Sequence, residues 1–381
     1  MTRSHRLWVS AALYALALSN VPSALADGNR YQVATLVSDV AGAAPNTDAH
    51  LVNGWGVAFN PTGFVWVSDN GTGFSTLYDG FGHPSPAANP LVVTIPAAPG
   101  SEHGKPTGIV FSGSSDFAVT SAGKTGPSRF VFATEDGLIA GWAPSVDGTH
   151  AIQAYPPAGA PPNAAVYKGL ALANAGSANF LYATDFTGGK IDVFDATFTK
   201  VTMPGGFVDP KLPKDFSPFN IQNLGGHLFV TYAKHEDGED DETAGPGLGA
   251  VDEFDATGHL LRRIATRGKL NAPWALAIAP ASFGRFAGDL LVGNFGDGTI
   301  SAYDLATGKF RGQLKGTDHR VLKIDGLWGM AFGNDVNNQP STTLFAAAGP
   351  ADENHGSYSA ITPAPGDDDE DDNGDDDRDG D

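Results

Sequence analysis

Three observations in the sequence predict an all-β chain made of six copies of one unit. First, the run GVAFN at Gly56 recurs as GIVFS at Gly108, GLALA at Gly169, NIQNL at Asn220, ALAIA at Ala275 and GMAFG at Gly329. These starts lie roughly 50–60 residues apart, close to the repeat length of a four-stranded blade. Second, each unit continues as short runs rich in Val, Phe, Trp and Tyr. They are separated by stretches such as Asn-Pro-Thr-Gly at 60–63 and Asp-Asn-Gly-Thr-Gly at 69–73. Such runs are strands, and the stretches between them are turns, because Gly and Asn tolerate positive φ while Pro fixes it negative. Third, 49 Gly and 26 Pro with few apolar runs of helical period disfavour α/β. The predicted fold is a six-bladed β-propeller of four-stranded antiparallel blades.

Taken in order, residues 1–26 read as an export signal. Arg3 and Arg6 precede the apolar run 7–18, and Ala24-Leu25-Ala26 supplies small residues before a cut ahead of Asp27. The run is short for a membrane span and no later stretch qualifies, so the expected product is exported, periplasmic or extracellular, and monomeric. The propeller is expected over 27–363. A strand at 31–37 has no neighbour in sequence to pair with. The first blade is predicted at 56–59, 64–67, 74–78 and 91–95. The second is predicted at 107–111, 130–133, 138–142 and 151–155, with an extra hairpin within 114–128. The third is predicted at 169–172, 180–183, 190–194 and 198–201. The fourth is predicted at 219–224, 228–232, 250–254 and 260–264, interrupted by a long acidic loop at 235–249. The fifth is predicted at 275–279, 290–292, 299–303 and 310–314. The sixth, at 329–332, 344–347 and 358–361, lacks a fourth strand. The orphan at 31–37 supplies it, so the N-terminal strand closes the ring.

An aromatic followed by Asp ends the third strand of four blades: Tyr78-Asp79, Phe194-Asp195, Phe254-Asp255 and Tyr303-Asp304. Recurrence in blade after blade favours structure over catalysis, the aromatic filling the gap between blades and the Asp capping the next turn. The formal net charge is −20, half of it in the tail DDDEDDNGDDDRDGD within the acidic C-terminal segment 364–381. The body shows no basic patch, which excludes nucleic acid and anionic lipid as natural partners. With no Cys, the fold rests on packing.

The motifs NGWGVAF, WVSDNGTG, KPTGIVF, YATDFTGGKIDVFD, NAPWALAIAP and LWGMAFG together resemble a family of uncharacterised exported bacterial propellers. More loosely, GDGTISAYDLATGK and GGKIDVFDA resemble NHL repeats and the gluconolactonase-like propellers. The family brings no established activity. By fold analogy, a ligand would sit at the channel mouth, where turns entering the inner strands meet the loops between second and third strands. Those segments offer Asn53, Trp55, Asp69, Lys105, Lys168, Asp185, Asn220, Trp274, Asn294, Trp328 and His355 as candidate ligand-binding residues.

Trp55, Trp274 and Trp328 recur at matching or adjacent positions. This favours plugging the channel or wedging between blades over a flat platform for a sugar, although each N–H then still needs a partner. Asp69, Asp185 and Asn294 share one repeat position, which favours a turn-stabilising role. The favoured function is a binding or scaffold module that engages a small ligand, glycan or protein at the mouth.

The alternative, implied by the lactonase-like resemblance, is a metal-dependent hydrolase. In it Asp185, Asn294 and Asn220 would hold Ca²⁺ or another divalent cation, with Asp69 or His355 moving protons. Asn53 stands where those lactonases usually offer Glu. His103 and His355 lack an evident paired carboxylate. The runs HEDGEDDE at 235–242 and the tail match no Ca²⁺ loop and read as solvated, mobile segments.

Overall fold

The structure, a computed structural model, describes residues 28–161 and 163–364. Residues 1–26, read above as an export signal, and all but the first residue of the acidic tail 364–381 lie outside the described residues.

Six antiparallel sheets form the blades. Their inner strands are Gly54–Phe59, Pro106–Phe111, Tyr167–Ala175, Phe216–Leu224, Pro273–Ile278 and Leu327–Phe332. Each inner strand touches the next in sequence order, and the sixth touches the first, so the six enclose a central channel. The glycine that opens four of the repeats has its cause here. A Cβ on Gly56 would lie 2.4 Å from the Thr107 carbonyl, on Gly108 2.3 Å from Leu170 N, and on Gly329 2.3 Å from the Trp55 carbonyl. No side chain fits such an approach. Where the fourth blade carries Asn220 instead, its Nδ2 donates across the gap to the Trp274 carbonyl at 2.8 Å.

Ring closure is as the unpaired strand requires. Tyr31–Ser38 runs antiparallel to Ser357–Pro363 as the fourth strand of the sixth blade, with a bulge between Thr35 and Val37. Tyr31 also ties that strand to the fifth blade, donating from its N to the Lys315 carbonyl at 2.8 Å and from its hydroxyl to the Phe283 carbonyl at 3.1 Å. The extra hairpin is Ala118–Ser121 with Lys124–Pro127. Phe117 and Val119 from this region are buried between the second and third blades.

Strand alternation sends one face of each blade to each neighbour, and the buried apolar residues fall into the gaps between blades. Trp66 against Phe130 and Trp142 fills the first gap, and Tyr78 against Tyr358 fills the closing one. The aromatic–Asp pairs behave as their recurrence predicts. Tyr78, Phe194, Phe254 and Tyr303 are buried. Asp195 Oδ1 accepts from the backbone of Thr197 and Thr199, and Asp255 Oδ1 from that of Thr257 and His259.

The acidic loop follows the sequence reading in part. Residues 236–241 are exposed, as a solvated segment would be, but Glu242–Thr243 folds back to pair with Lys234 and His235. That return brings Asp240 and Asp241 over the end of the channel.

Deleting residues 28–40 leaves the sixth blade with a bare edge and removes the clamp at Tyr31. Its thermal melt should fall sharply relative to the full chain. An unchanged melting temperature would show that the ring does not depend on this strand.

Candidate functional site

The axis of the ring is filled at one level by aromatics. Trp55, Trp274 and Trp328 are at most 4% exposed. Trp55 stacks on Trp328 with ring centroids 3.5 Å apart, Trp274 meets both edge-on, and Phe295 stacks on the other side of Trp328 at 3.9 Å. These rings close the channel rather than offer a platform, as their recurrence suggests. Two of the three N–H groups are satisfied. Trp274 Nε1 donates to the Lys168 carbonyl at 3.2 Å, and Trp328 Nε1 to Asn53 Oδ1 at 3.0 Å and Glu353 Oε1 at 3.1 Å. Trp55 Nε1 has no partner among the described residues.

Against this plug, on the face of the second-to-third-strand loops, lies a cavity of about 240 Å³. Asn53, Trp55, Asn70, Lys105, Glu135, Asp136, Val166, Asp240, Asp241 and Glu353 line it, drawn from the first, second, third, fourth and sixth blades. Lys168, 1% exposed, holds it together. Its Nζ donates to Glu135 Oε1 at 2.8 Å and to Asp241 Oδ1 at 2.7 Å. The same ammonium stands 5.2 Å from the centroid of Trp55 and 6.0 Å from that of Phe186, within cation–π range. Burial works against the charge, but Glu135, Glu242 and Asp241 outweigh it and hold the ammonium protonated above the usual lysine range. Asn70 Nδ2 donates to Glu135 Oε2 at 3.0 Å, and Asn53 Nδ2 to Glu353 Oε1 at 3.2 Å. Burial pushes the Glu353 carboxyl up, partly offset by the bond from Asn53.

Glu353 is delivered by an unusual turn. Ala351, Asp352 and Glu353 are consecutive residues at φ of 57°, 53° and 63°. Each such non-glycine residue costs on the order of 1–2 kcal/mol. The turn is held by Asn354 Nδ2 donating to the Ala351 carbonyl and by Ala351 N donating to Asp325 Oδ2.

Of the candidates from the sequence, Asn53, Trp55 and Lys105 line this mouth, and Lys168 and Trp328 bond to its walls from beneath. Trp274 and Asn220 anchor the plug and line a separate cavity of about 470 Å³ beyond it. The remaining four do not converge. Asp185 pairs with Lys190 at 2.7 Å and accepts from Gly188 N, stabilising its own turn. Asn294 is spent on Asn271 N, the Lys269 carbonyl and Thr299. Asp69 is fully buried and accepts from Thr76; burial pushes its carboxyl well above the usual range. His355 is half-exposed and pairs with Asp39 at 2.8 Å. His103 Nδ1 donates to the Gly104 carbonyl.

The residues implied for a channel cation therefore do not fit one. Asp185, Asn294 and Asn220 are engaged in separate places, and no group of three or more His, Asp or Glu among the described residues is arranged to hold a metal. The carboxylates that do converge meet the ammonium of Lys168. Glu353 and the pairing of Asp241 with Lys168 escaped sequence reasoning. The only signal was acid density in two loops of the correct face.

No family model matches the chain. Over 318 residues it is 33% identical to an uncharacterised protein of Acanthamoeba polyphaga mimivirus, covering 80% of this chain and 80% of that protein. The chain belongs to the same family. A second uncharacterised protein of that virus is 32% identical over 307 residues, covering 79% of this chain and 73% of the relative. Both relatives are viral, whereas the resemblance in the sequence pointed to bacterial proteins. Among solved structures, a glucose dehydrogenase superposes with a TM-score of 0.51 at 12% identity, over 88% of this chain and all of that one. A likeness at this identity is one of fold.

Glu242 ties the mouth to pH. Burial pushes its carboxyl up to about 7, with Lys168 opposing. A carboxyl raised in the fold contributes stability that is fully present below its unfolded value of about 4.3 and is lost as pH rises through about 7. Glu242→Gln should therefore flatten the fall in melting temperature between about pH 5 and 8. Asp252, also pushed up to about 7 by burial, leaves a residual slope. An unchanged slope would show that Glu242 does not couple the mouth to pH.

Proposed function

We propose that the chain is a ligand-binding propeller module, exported to the periplasm or beyond the cell, that takes a small ligand, a glycan or a protein group into the mouth of its channel. The observation that carries this reading is the buried ammonium of Lys168 at the base of an open cavity, held by carboxylates from two other blades. A buried ion pair is seldom more stabilising than well-packed apolar side chains of the same volume. Stability alone therefore gives no reason to keep charge there, whereas recognition of a polar ligand does. The strained turn that delivers Glu353 supports the same reading, since such strain clusters at functional sites. Hydrolysis with a channel metal has less support, because its donors are spent elsewhere and Asp69 and His355 do not line the mouth. The export pattern of residues 1–26 sets the compartment of this proposal.

A fragment screen by ligand-observed NMR on the mature chain tests it. Asp240 is exposed at the rim, so Asp240→Trp narrows the mouth without touching the core. Hits are expected to weaken about tenfold or more in that variant. Hits that bind Asp240→Trp as well as the native chain would place the ligand site elsewhere.

A further inference from the structure

The third strands of the third and fourth blades carry an acid at the same place, two residues before a buried Phe: Asp192 before Phe194 and Asp252 before Phe254. Both acids are buried, but their surroundings differ in charge. Asp192 meets two ammonium groups, Lys190 Nζ at 2.5 Å and Lys200 Nζ, and accepts from the Tyr167 hydroxyl at 2.8 Å. Burial works against its charge, yet these bonds hold the carboxyl below the usual range. Asp252 meets one guanidinium and has to share it. Arg263 Nε donates to Asp252 Oδ1 at 3.2 Å, while its Nη2 donates to Asp209 Oδ2.

Asp209 belongs to a strap. Residues 202–215 lead from the outer strand of the third blade to the inner strand of the fourth. Met203, Phe207 and Leu212 pack into the gap between these blades with Tyr182 and Phe254. Gly205 N and Phe207 N donate to the Thr257 and Gly258 carbonyls. Asp209 fastens the middle of the strap. Its Oδ1 accepts from Lys211 N at 2.8 Å, and Arg263 Nη1 donates to the Lys211 carbonyl at 3.3 Å.

Charge counting shows what the fourth blade needs. The Asp252 side chain is 0% exposed and that of Asp209 3%. Two carboxylates against one guanidinium leave one negative charge in excess where water does not reach. Adjacent carboxyls in such a setting hold one proton between them. That proton belongs on Asp252 Oδ2, which is buried without a hydrogen-bond partner among the described residues, with the Asp209 carboxyl within reach. The remaining titratable neighbour is Tyr232, whose hydroxyl is also buried without a partner among the described residues; it can donate to Asp252 but brings no positive charge. Burial and Asp209 push the Asp252 carboxyl up to about 7, with Arg263 opposing. Asp209 goes the other way: against burial, the bonds from Lys211 N, Asp252 and Arg263 hold it below the usual range.

We propose that the strap 202–215 is a pH-sensitive latch, held on the fourth blade by a proton that Asp252 shares with Asp209 and loosened when that proton is lost. A carboxyl raised in the closed state favours closure fully below its ordinary value of about 3.9, and that contribution is lost as pH rises through about 7. The latch is tightest in acid and loosest above neutral pH. Asp192, kept ionised by its two lysines, gives the third blade no such dependence in this range.

Hydrogen exchange of the strap amides in the mature chain, read by mass spectrometry at about pH 5 and 8, tests the latch. Asp252→Asn keeps the shape and cannot ionise, and comparison with it at each pH cancels the intrinsic pH dependence of exchange. Native chain and variant should protect the strap equally at the lower pH. At the higher pH the native strap should exchange at least about tenfold faster, while the strand Leu290–Asn294 of the fifth blade exchanges alike in both. Asp209→Asn should also remove the pH dependence, whereas loss of a merely structural contact would weaken the strap equally at both pH values. A native-to-Asp252→Asn ratio that does not change with pH, or that changes as much in the fifth blade, would overturn the proposal. Should the variants fail to fold, the carboxyl carbon of Asp252, followed by NMR in the native chain, must titrate with a midpoint near about 7. A midpoint near about 4 would overturn the latch as surely.

Discussion

The close approach of neighbouring inner strands sets the dimensions of everything else in this molecule. At Gly56, Gly108 and Gly329 the backbone of the next blade sits where a Cβ would be, and at Gly169 the Asn220 side chain does. Six strands packed at that spacing leave a channel narrow enough for indole rings to span. Trp55 and Trp328 can stack face to face only because the blades that carry them, the first and the sixth, meet at the point of closure. The N-terminal strand is part of the same constraint, since it completes the sixth blade and so fixes where Trp328 stands.

A plugged channel gives two unlike ends. Beyond the plug the larger cavity is walled by Val57, Ile109, Leu170, Ile221 and Met330 with backbone between them. On the loop side the walls are acids and amides brought by five blades. Lys168 belongs to the inner strand of the third blade, yet its charge is met by the second and fourth, so its ammonium fastens neighbouring loops into one rim. Burial strengthens the contact with Glu135, which is 18% exposed, whereas Asp241, 81% exposed, is screened by solvent.

Much of this was legible in the sequence, for reasons that can be named. The spacing of the GVAF-like runs gave the blades, and counting strands gave the closure at Tyr31–Ser38, because an unpaired strand and a blade one strand short can be matched without coordinates. Recurrence correctly separated structural residues from unique ones. Asp195 and Asp255 cap turns, Asp185 stabilises its own, Asn294 ties its turn to Lys269 and Asn271, and the tryptophans fill the axis. The mouth itself was only half legible. Lys168 and Asn53 sit at fixed distances from recognisable strands, so the repeat places them. Glu353 arrives through three successive left-handed residues, none of them glycine, and Asp241 through a loop that doubles back on its own strand. Both depend on tertiary contacts that override local preference, and an acid-rich stretch in sequence does not distinguish a solvated loop from a folded rim.

The central claim is that the cation of the mouth is the protein's own, the ammonium of Lys168. The most direct measurement is the melting temperature of a chain ending at residue 364, after exhaustive chelation and again with excess Ca²⁺, alongside its metal content by mass spectrometry. If Lys168 is that cation, the two melting temperatures are equal and no ion is retained in stoichiometric amount. A stabilisation of several degrees by Ca²⁺, with one ion held per chain, would contradict it, for the carboxylates around Lys168 would then be serving a metal.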